Sequence, residues 1–290
     1  MDVNLARTLL AIVETGSFKD AAAKLNLTQS TISARIKTLE SALGKQLLER
    51  SKAGVRLTPA GEQFQRHATA LVRVWHHALL EVGLADQHSD HFAVGAQISL
   101  WEGFLLRWIS WMRTHHTGIA VTATVGSSAE LTERLAEGTL DMAVAYRPTN
   151  RPGLIVEHIF DEELVLVTSS GARSRRPGPG YVFVNWGPEF AADHTETYPE
   201  LAHTGLHLDL GAIGVNYLLE TQGSGYFPIR VAQPYLEDGR LVLVGRARRF
   251  VYPVYAVYPE NRDEAAFEPL LAGLRRIADE AVGDTREVAE

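Results

Sequence analysis

Three apolar rhythms divide the chain. Between residues 3 and 13, Val3, Leu5, Leu9, Leu10, Ile12 and Val13 fall close to helical spacing, and Gly16 ends the run. A second rhythm is a seam: Phe64, Ala68, Leu71, Trp75, Leu79 and Val82 recur at steps of four, three, four, four and three. Those steps are near a heptad and predict one long helix over 59–88. A seam of that length needs a partner to cover it, unless it packs on its own domain. From His91 onward the pattern becomes short strand-like runs separated by helical stretches. The runs are 92–97, 119–125, 142–145, 164–169, 181–184, 206–208, 241–244 and 254–257, which is α/β order.

Between the first two rhythms, residues 17–43 read as two short helices joined by a tight turn. Ser17 is placed to cap the first, with Asp20 as its capping-box partner. Ala21, Ala22 and Ala23 let a neighbouring helix come close, and Asn26 ends the segment. Thr28 caps the next helix. Gln29, Ser30, Thr31, Ser33 and Arg35 fill its first two turns, while Ile32, Ile36 and Leu39 form a buried stripe. A helix that enters the major groove is divided in this way, with polar N-terminal residues at base edges and the other face on the core. Gln29, Ser30 and Ser33 can donate and accept there; Arg35 and Lys37 can reach phosphate or guanine. By itself the same pattern also describes a capped surface helix. Arg50, Lys52 and Arg56 flank Gly54 in what reads as a hairpin wing, and Thr58-Pro59 restarts a helix.

Charge changes this picture. The 290-residue chain carries a formal charge of −7, which speaks against nucleic acid. Yet residues 1–58 hold nine Lys/Arg against five acids, leaving the remaining 232 residues at −11. A basic head on an acidic body is the asymmetry expected when one end meets phosphate. No apolar run approaches the roughly 20 residues of a membrane helix. The N-terminus lacks a signal-peptide pattern, and the chain has no cysteine; a cytoplasmic location is expected.

With the motif laid out, the head resembles the LysR-type transcriptional regulators. Matching positions are Phe18, Ala21, Ala22, Leu25, Thr28, Gln29, Ser30, Ile32, Ser33, Ile36, Leu39, Glu40, Leu43, Gly44, Leu47, Arg50, Val55, Arg56, Leu57, Thr58, Ala60 and Gly61. Leu48 departs from the family's usual phenylalanine, and Ala34 from its common arginine or glutamine. The resemblance implies a winged helix–turn–helix at 1–58, a dimerising linker helix at 59–88 and a two-lobed, periplasmic-binding-protein-like α/β effector domain at 91–290. Lobe I would span about 92–161 and 266–282, and lobe II about 162–265. Phe64, Leu71, Trp75, Leu79 and Val82 would form the dimer seam. The stretches SLWE and WGPEF are similar to the flagellar-regulator-like members of the family.

In open α/β sheets small molecules bind at strand carboxyl ends and helix N-termini. Ser99, Leu100, Trp101 and Glu102 follow the first strand of the body. Ser127 and Ser128 open a helix, with Glu130 as box partner to Ser127, and Tyr146-Arg147 follow a third strand. The resemblance adds Trp186, Thr204 and Phe227 from lobe II. Each residue has an ordinary alternative, a cap or a core aromatic. As a set they suggest a cleft in which Arg147 suits a carboxylate, while Glu102 favours an amino or hydroxyl group as well.

There is no G-x-G-x-x-G, no phosphate-binding loop and no G-x-S-x-G. His76-His77 and His115-His116 are adjacent pairs that diverge on a helix, and His88 and His91 are three apart but in the hinge, with no cysteine and no H-E-x-x-H. No metal, cofactor or catalytic residue is therefore expected, and the chain is not read as an enzyme. The expected function is effector-modulated regulation of transcription by a dimer or tetramer on a partly palindromic operator. RNA polymerase is a further partner that such a role would admit. A small-molecule-binding protein with a vestigial head, or a ligand-independent architectural regulator, remains the alternative.

Overall fold

Gly16 and Gly44 end two helices of the head in the left-handed region, each with φ of +66°, a conformation that glycine adopts without strain. In a computed structural model, which describes residues 2–51, 54–81, 90–169, 180–201 and 205–289, they close α1 (Val3–Thr15) and α3 (Gln29–Leu43). Between these lies α2 (Phe18–Lys24), capped by the Ser17 hydroxyl, which accepts from the backbone N–H groups of Lys19 and Asp20. Leu9, Ile12, Ile32, Leu39 and Leu47 are fully buried and form the head's core. Strands β1 (Leu48–Ser51) and β2 (Gly54–Leu57) pair antiparallel as the wing.

Two family-like positions acquire physical roles here. The Glu40 carboxylate accepts from the N–H groups of Leu47 (2.8 Å) and Leu48 (3.3 Å), pinning α3 to the start of the wing. A Cβ on Gly61 would lie 2.1 Å from the Leu47 carbonyl oxygen, so only glycine lets the next helix pass. That helix, α4 (Pro59–Glu81), starts from Thr58, whose hydroxyl accepts from Gly61 N–H at 3.0 Å. Its expected continuation to 88 lies outside the described residues.

The body is built on two long crossing strands. β6 (Leu154–Thr168) and β11 (Phe250–Pro259) pair antiparallel along much of their length. On one side β11 pairs with β5 (Met142–Tyr146), which is followed by β3 (Asp90–Ala96) and β4 (Ile119–Val125), the last two joins parallel. With α5 (Leu106–His115), α6 (Ser128–Ala136) and α10 (Glu264–Ala289) this makes lobe I. On the other side, the C-terminal half of β6 pairs with β9 (Ser224–Pro228) and β10 (Val242–Leu243). β7 (Phe183–Val184), β8 (His207–Leu208), α7 (Pro188–Thr197), α8 (Gly214–Thr221) and α9 (Ile229–Glu237) complete lobe II.

Three local features differ from what residue type alone suggests. Asp209, of a type that often caps helices, does not cap α8: a 3-10 turn at Gly211–Ile213 intervenes, and the helix starts at Gly214. Gly223 and Gly225 belong to close strand approach rather than a simple turn, since Cβ atoms there would meet the Gly180 and Val182 carbonyls at 2.9 and 3.1 Å. The N-terminal half of β6 carries no strand signal in the sequence, because Glu157, His158, Asp161, Glu162 and Glu163 break its apolar pattern. Several of those charges are paired, Glu157 with Arg275 at 2.7 Å and Glu163 with Arg249 at 2.8 Å.

Lobe II buries His194 beneath Phe183, Phe190 and Tyr226, with Nε2 2.7 Å from the Tyr181 hydroxyl. Burial pushes its pKa below the ordinary 6.5, against a smaller upward pull from Glu200. A histidine whose folded pKa is depressed contributes stability above its unfolded pKa and loses it as pH falls towards the folded value. The thermal stability of lobe II is therefore expected to fall as pH drops below about 6.5. His194→Phe should flatten that dependence; an unchanged slope would assign it to other groups.

Candidate functional site: the reading helix and the interlobe cleft

Helix α3 separates its faces as its sequence requires. Ile32, Ile36 and Leu39 point into the core, while Thr28, Gln29, Ser30 and Lys37 are exposed and Thr31, Ser33 and Arg35 half-buried. The Thr28 hydroxyl accepts from Thr31 N–H at 3.2 Å and lies 2.8 Å from the hydroxyls of both Ser30 and Thr31. The cap and the polar N-terminal turn are thus one hydroxyl cluster. Arg35 leans back to α1, its Nη1 3.4 Å from the Thr8 hydroxyl. Arg56 is exposed on β2. Arg50 lies on β1, and Lys52 lies outside the described residues.

Along α4 the apolar seam divides. Ala68 and Val72 are buried against the head and Phe64 is half-buried there. Leu71, Trp75 and Leu79 are 39%, 46% and 56% exposed, with Val74 beside them at 65%. Val82 lies outside the described residues.

The head also docks on lobe I of its own chain. Lys24 of α2 reaches Glu14 of α1 together with Glu133 and Glu137 at the end of α6. Burial opposes its charge, but the three carboxylates outweigh that and raise its pKa. The Thr69 hydroxyl donates to the Ala136 carbonyl at 3.3 Å, and Arg73 Nη2 to the Asn261 carbonyl at 2.9 Å.

The cleft between the lobes brings some expected residues together. The Ser99 hydroxyl donates to Tyr146 at 3.4 Å, and Tyr146 N–H donates to the Gln97 side chain at 2.8 Å. Ser127 forms a full capping box with Glu130, and Ser128 begins α6. Arg147, at φ +43°, lies 3.5 Å from Glu189 of lobe II and over the Tyr252 ring. Other expected contacts are spent on packing. Leu100 and Phe227 are fully buried; Trp101 donates to the Ala96 carbonyl and Trp186 to the Tyr226 carbonyl, at 3.3 and 2.9 Å. Glu102 is exposed as a side chain and contributes its carbonyl instead. Thr204 lies outside the described residues.

Sequence reasoning missed the two charges at the centre. Arg230, the second residue of α9, donates from Nε to Glu162 Oε1 (2.8 Å) and from Nη2 to the Ser99 carbonyl (2.9 Å). Its Nη1 donates to the Glu102 carbonyl. The Tyr146 hydroxyl donates to the other oxygen of Glu162. Arg230 and Glu162 are 7% and 3% exposed. Burial, with the nearby Glu162 charge, pushes the Tyr146 pKa well up and keeps its proton in place. A signal existed for Arg230 alone, which interrupts the apolar stretch 226–232, since buried charges are almost always paired; Glu162 is masked by its acidic neighbours Asp161 and Glu163.

A winged helix–turn–helix joined by a long helix to a bilobal α/β domain with two crossing strands defines a class of DNA-binding regulators that carry a ligand-sensing body. Comparison with known families gives the particular one. Residues 3–62 match the bacterial regulatory helix-turn-helix model of the lysR family, and residues 85–278 match the LysR substrate binding domain. The chain belongs to the LysR family and is a LysR-type transcriptional regulator.

Similar curated proteins include the HTH-type transcriptional regulator HdfR of Yersinia enterocolitica, 31% identical over 281 residues, covering 91% of this chain and 92% of that one. The protein of the same name from Salmonella typhimurium is 29% identical over 267 residues, covering 91% and 94%. These agree with the subgroup resemblance of the SLWE and WGPEF stretches. Among solved structures, ArgP from Mycobacterium tuberculosis aligns with a TM-score of 0.59 at 21% identity, covering 96% of this chain and 97% of that one. Full-length LysG from Corynebacterium glutamicum, described with bound effector Arg, aligns at 0.57 and 19%, covering 97% and 99%. At these identities the likeness establishes the fold. Among the described residues no helix is long and apolar enough to cross a membrane.

Proposed function

We propose that the regulator acts as a cytoplasmic dimer, paired further into a tetramer, that straddles a partly palindromic operator with two reading helices. Contacts would come from Thr28, Gln29, Ser30, Thr31 and Ser33 at base edges, and from Arg35, Lys37, Arg50, Lys52 and Arg56 at phosphate or guanine. The observation that carries this reading is α4. Its apolar surface continues past the head into solvent at Leu71, Val74, Trp75 and Leu79. A second copy is the partner that such a seam fits. The lobes would sense a small molecule in the cleft lined by Ser99, Ser128, Tyr146 and Arg147, and closure would alter the spacing of the heads. The carboxylate suggested by Arg147 has to compete with Glu189 for that guanidinium; the class of effector is therefore better read from the cleft's centre.

A gel shift against DNA flanking its own gene tests the reading. Wild-type protein should give a discrete complex, and Gln29→Ala should weaken it about tenfold, the loss of one good base contact of 1–3 kcal/mol. Unchanged affinity in Gln29→Ala and Ser30→Ala would remove α3 from the interface.

A further inference from the structure

The centre of the cleft is made of acceptors. The Ser99 carbonyl, the Glu102 carbonyl and the Glu162 carboxylate converge on one point, and the Tyr146 hydroxyl spends its proton on Glu162 from behind. Such a set selects a cation with several N–H donors spread in a plane, which is a guanidinium. The chain fills it with Arg230, an arm reaching from lobe II to two carbonyls of lobe I.

Two backbone features fit this occupant. Glu102 and Gly103 break the helical path ahead of α5, with Glu102 at ψ 132° and Gly103 at φ +70°. That turn aims the Glu102 carbonyl at Arg230 and uses a residue for which positive φ carries no strain. A side chain at Gly103 would also press on the arm, its Cβ lying 3.1 Å from Arg230 Cγ. Other contacts hold the lobes together around it: Arg147 with Glu189 across the cleft, and Gly211 against Ile98, where a Cβ would come within 2.8 Å.

We propose that the interlobe cleft is a guanidinium site occupied by the chain's own Arg230, and that small guanidinium or alkylammonium ions are the ligands able to replace it. This rests on the reading of the cleft as the effector site and names the ligand's chemistry. An anion would have to part Arg230 from Glu162 and leave the carboxylate buried with the Tyr146 hydroxyl alone, which is costly. A cation exchanges with Arg230 one for one, and the displaced side chain can carry its charge out to water on its flexible stem. The resting, unliganded protein is then already closed, and a cationic effector releases the tie between lobes rather than creating one.

The test vacates the site in the full-length protein and offers it methylguanidinium. In Arg230→Ala, millimolar methylguanidinium chloride is expected to raise the melting temperature relative to equal sodium chloride. Wild type should gain less, because the ion must first displace Arg230, and Arg230→Ala/Glu162→Gln should lose the rescue. Arg230→Met, which keeps the stem's packing, gives a second vacated variant if alanine does not fold. Folded Arg230→Ala or Arg230→Met with no gain from methylguanidinium would overturn the proposal. So would stabilisation of wild type by acetate at the same concentration. Operator affinity of the same samples separates this from the regulatory reading. Rescue accompanied by a shift in DNA affinity supports both. Rescue with DNA affinity identical in wild type and variant keeps the cation site and sinks the coupling of cleft to heads.

Discussion

Replacing Trp75 and Leu79 together with glutamate is expected to lower operator affinity by about 100-fold or more, because it removes the second head from the complex. Joining two binding modules multiplies affinity by roughly 10² to 10⁴ through effective concentration. The two side chains stand 46% and 56% exposed within one chain, so the charges meet water there and burial only in a dimer. Substitution at such positions changes the stability of a fold by no more than about 0.5 kcal/mol. Sedimentation should show the double variant in a smaller assembly than wild type, without the α4 pairing, and with an unchanged circular dichroism spectrum. A variant that stays dimeric and binds its operator normally would mean that α4 is not the pairing surface.

Glu162→Ala is expected to be the most damaging single change in the body. It leaves Arg230 buried and unpaired at the meeting of the lobes, and breaking a buried pair from one side costs about 3–5 kcal/mol. For a domain of this size that lowers the melting temperature by roughly 6 to 20 °C. The neighbouring Glu163 supplies the control. Its pair with Arg249 has the same 2.8 Å separation, but both side chains are more than 40% exposed, and exposed pairs contribute about 0–1 kcal/mol. Calorimetry of the two variants should therefore differ several-fold in effect. Equal losses would show that Glu162 and Arg230 are not the tie between lobes.

The head was legible in the sequence because each of its features is local. Helical period, the caps at Ser17, Thr28 and Thr58, and the glycines at 16 and 44 lie within a few residues of what they control. Even there, the motif only marked Glu40 and Gly61; that they fasten α3 and α4 to the backbone at Leu47 needed three dimensions. The seam on α4 was visible, but not that its first half belongs to the head's core and its second half to solvent. In the body, alternating elements announced α/β order. The crossing strand β6 stayed partly hidden because its first half is studded with charges whose partners lie far along the chain, Glu157 with Arg275 and Glu162 with Arg230.

The cleft was the least legible part for the same reason. Ser99 and Tyr146 were found from strand ends and do meet. Trp101 and Trp186 looked like walls because a tryptophan near a strand end reads alike whether its N–H faces a ligand or a backbone carbonyl. Here it faces Ala96 and Tyr226. Arg230 stands out in its apolar stretch as a charge that needs a partner, but the sequence does not name that partner. Its role depends on two carbonyls more than 120 residues earlier in the chain.

The central claim, that paired α3 helices read DNA, is tested most directly by the salt dependence of operator binding. Fluorescence anisotropy of the full-length protein on labelled DNA flanking its gene would give the observed affinity at rising sodium chloride. Arg35, Lys37, Arg50, Lys52 and Arg56 from two heads would neutralise about ten phosphates, which predicts a log–log slope of roughly −9. The account predicts such a slope, with Trp75→Glu/Leu79→Glu at about half of it. Binding that is absent, or that does not respond to salt, would contradict it.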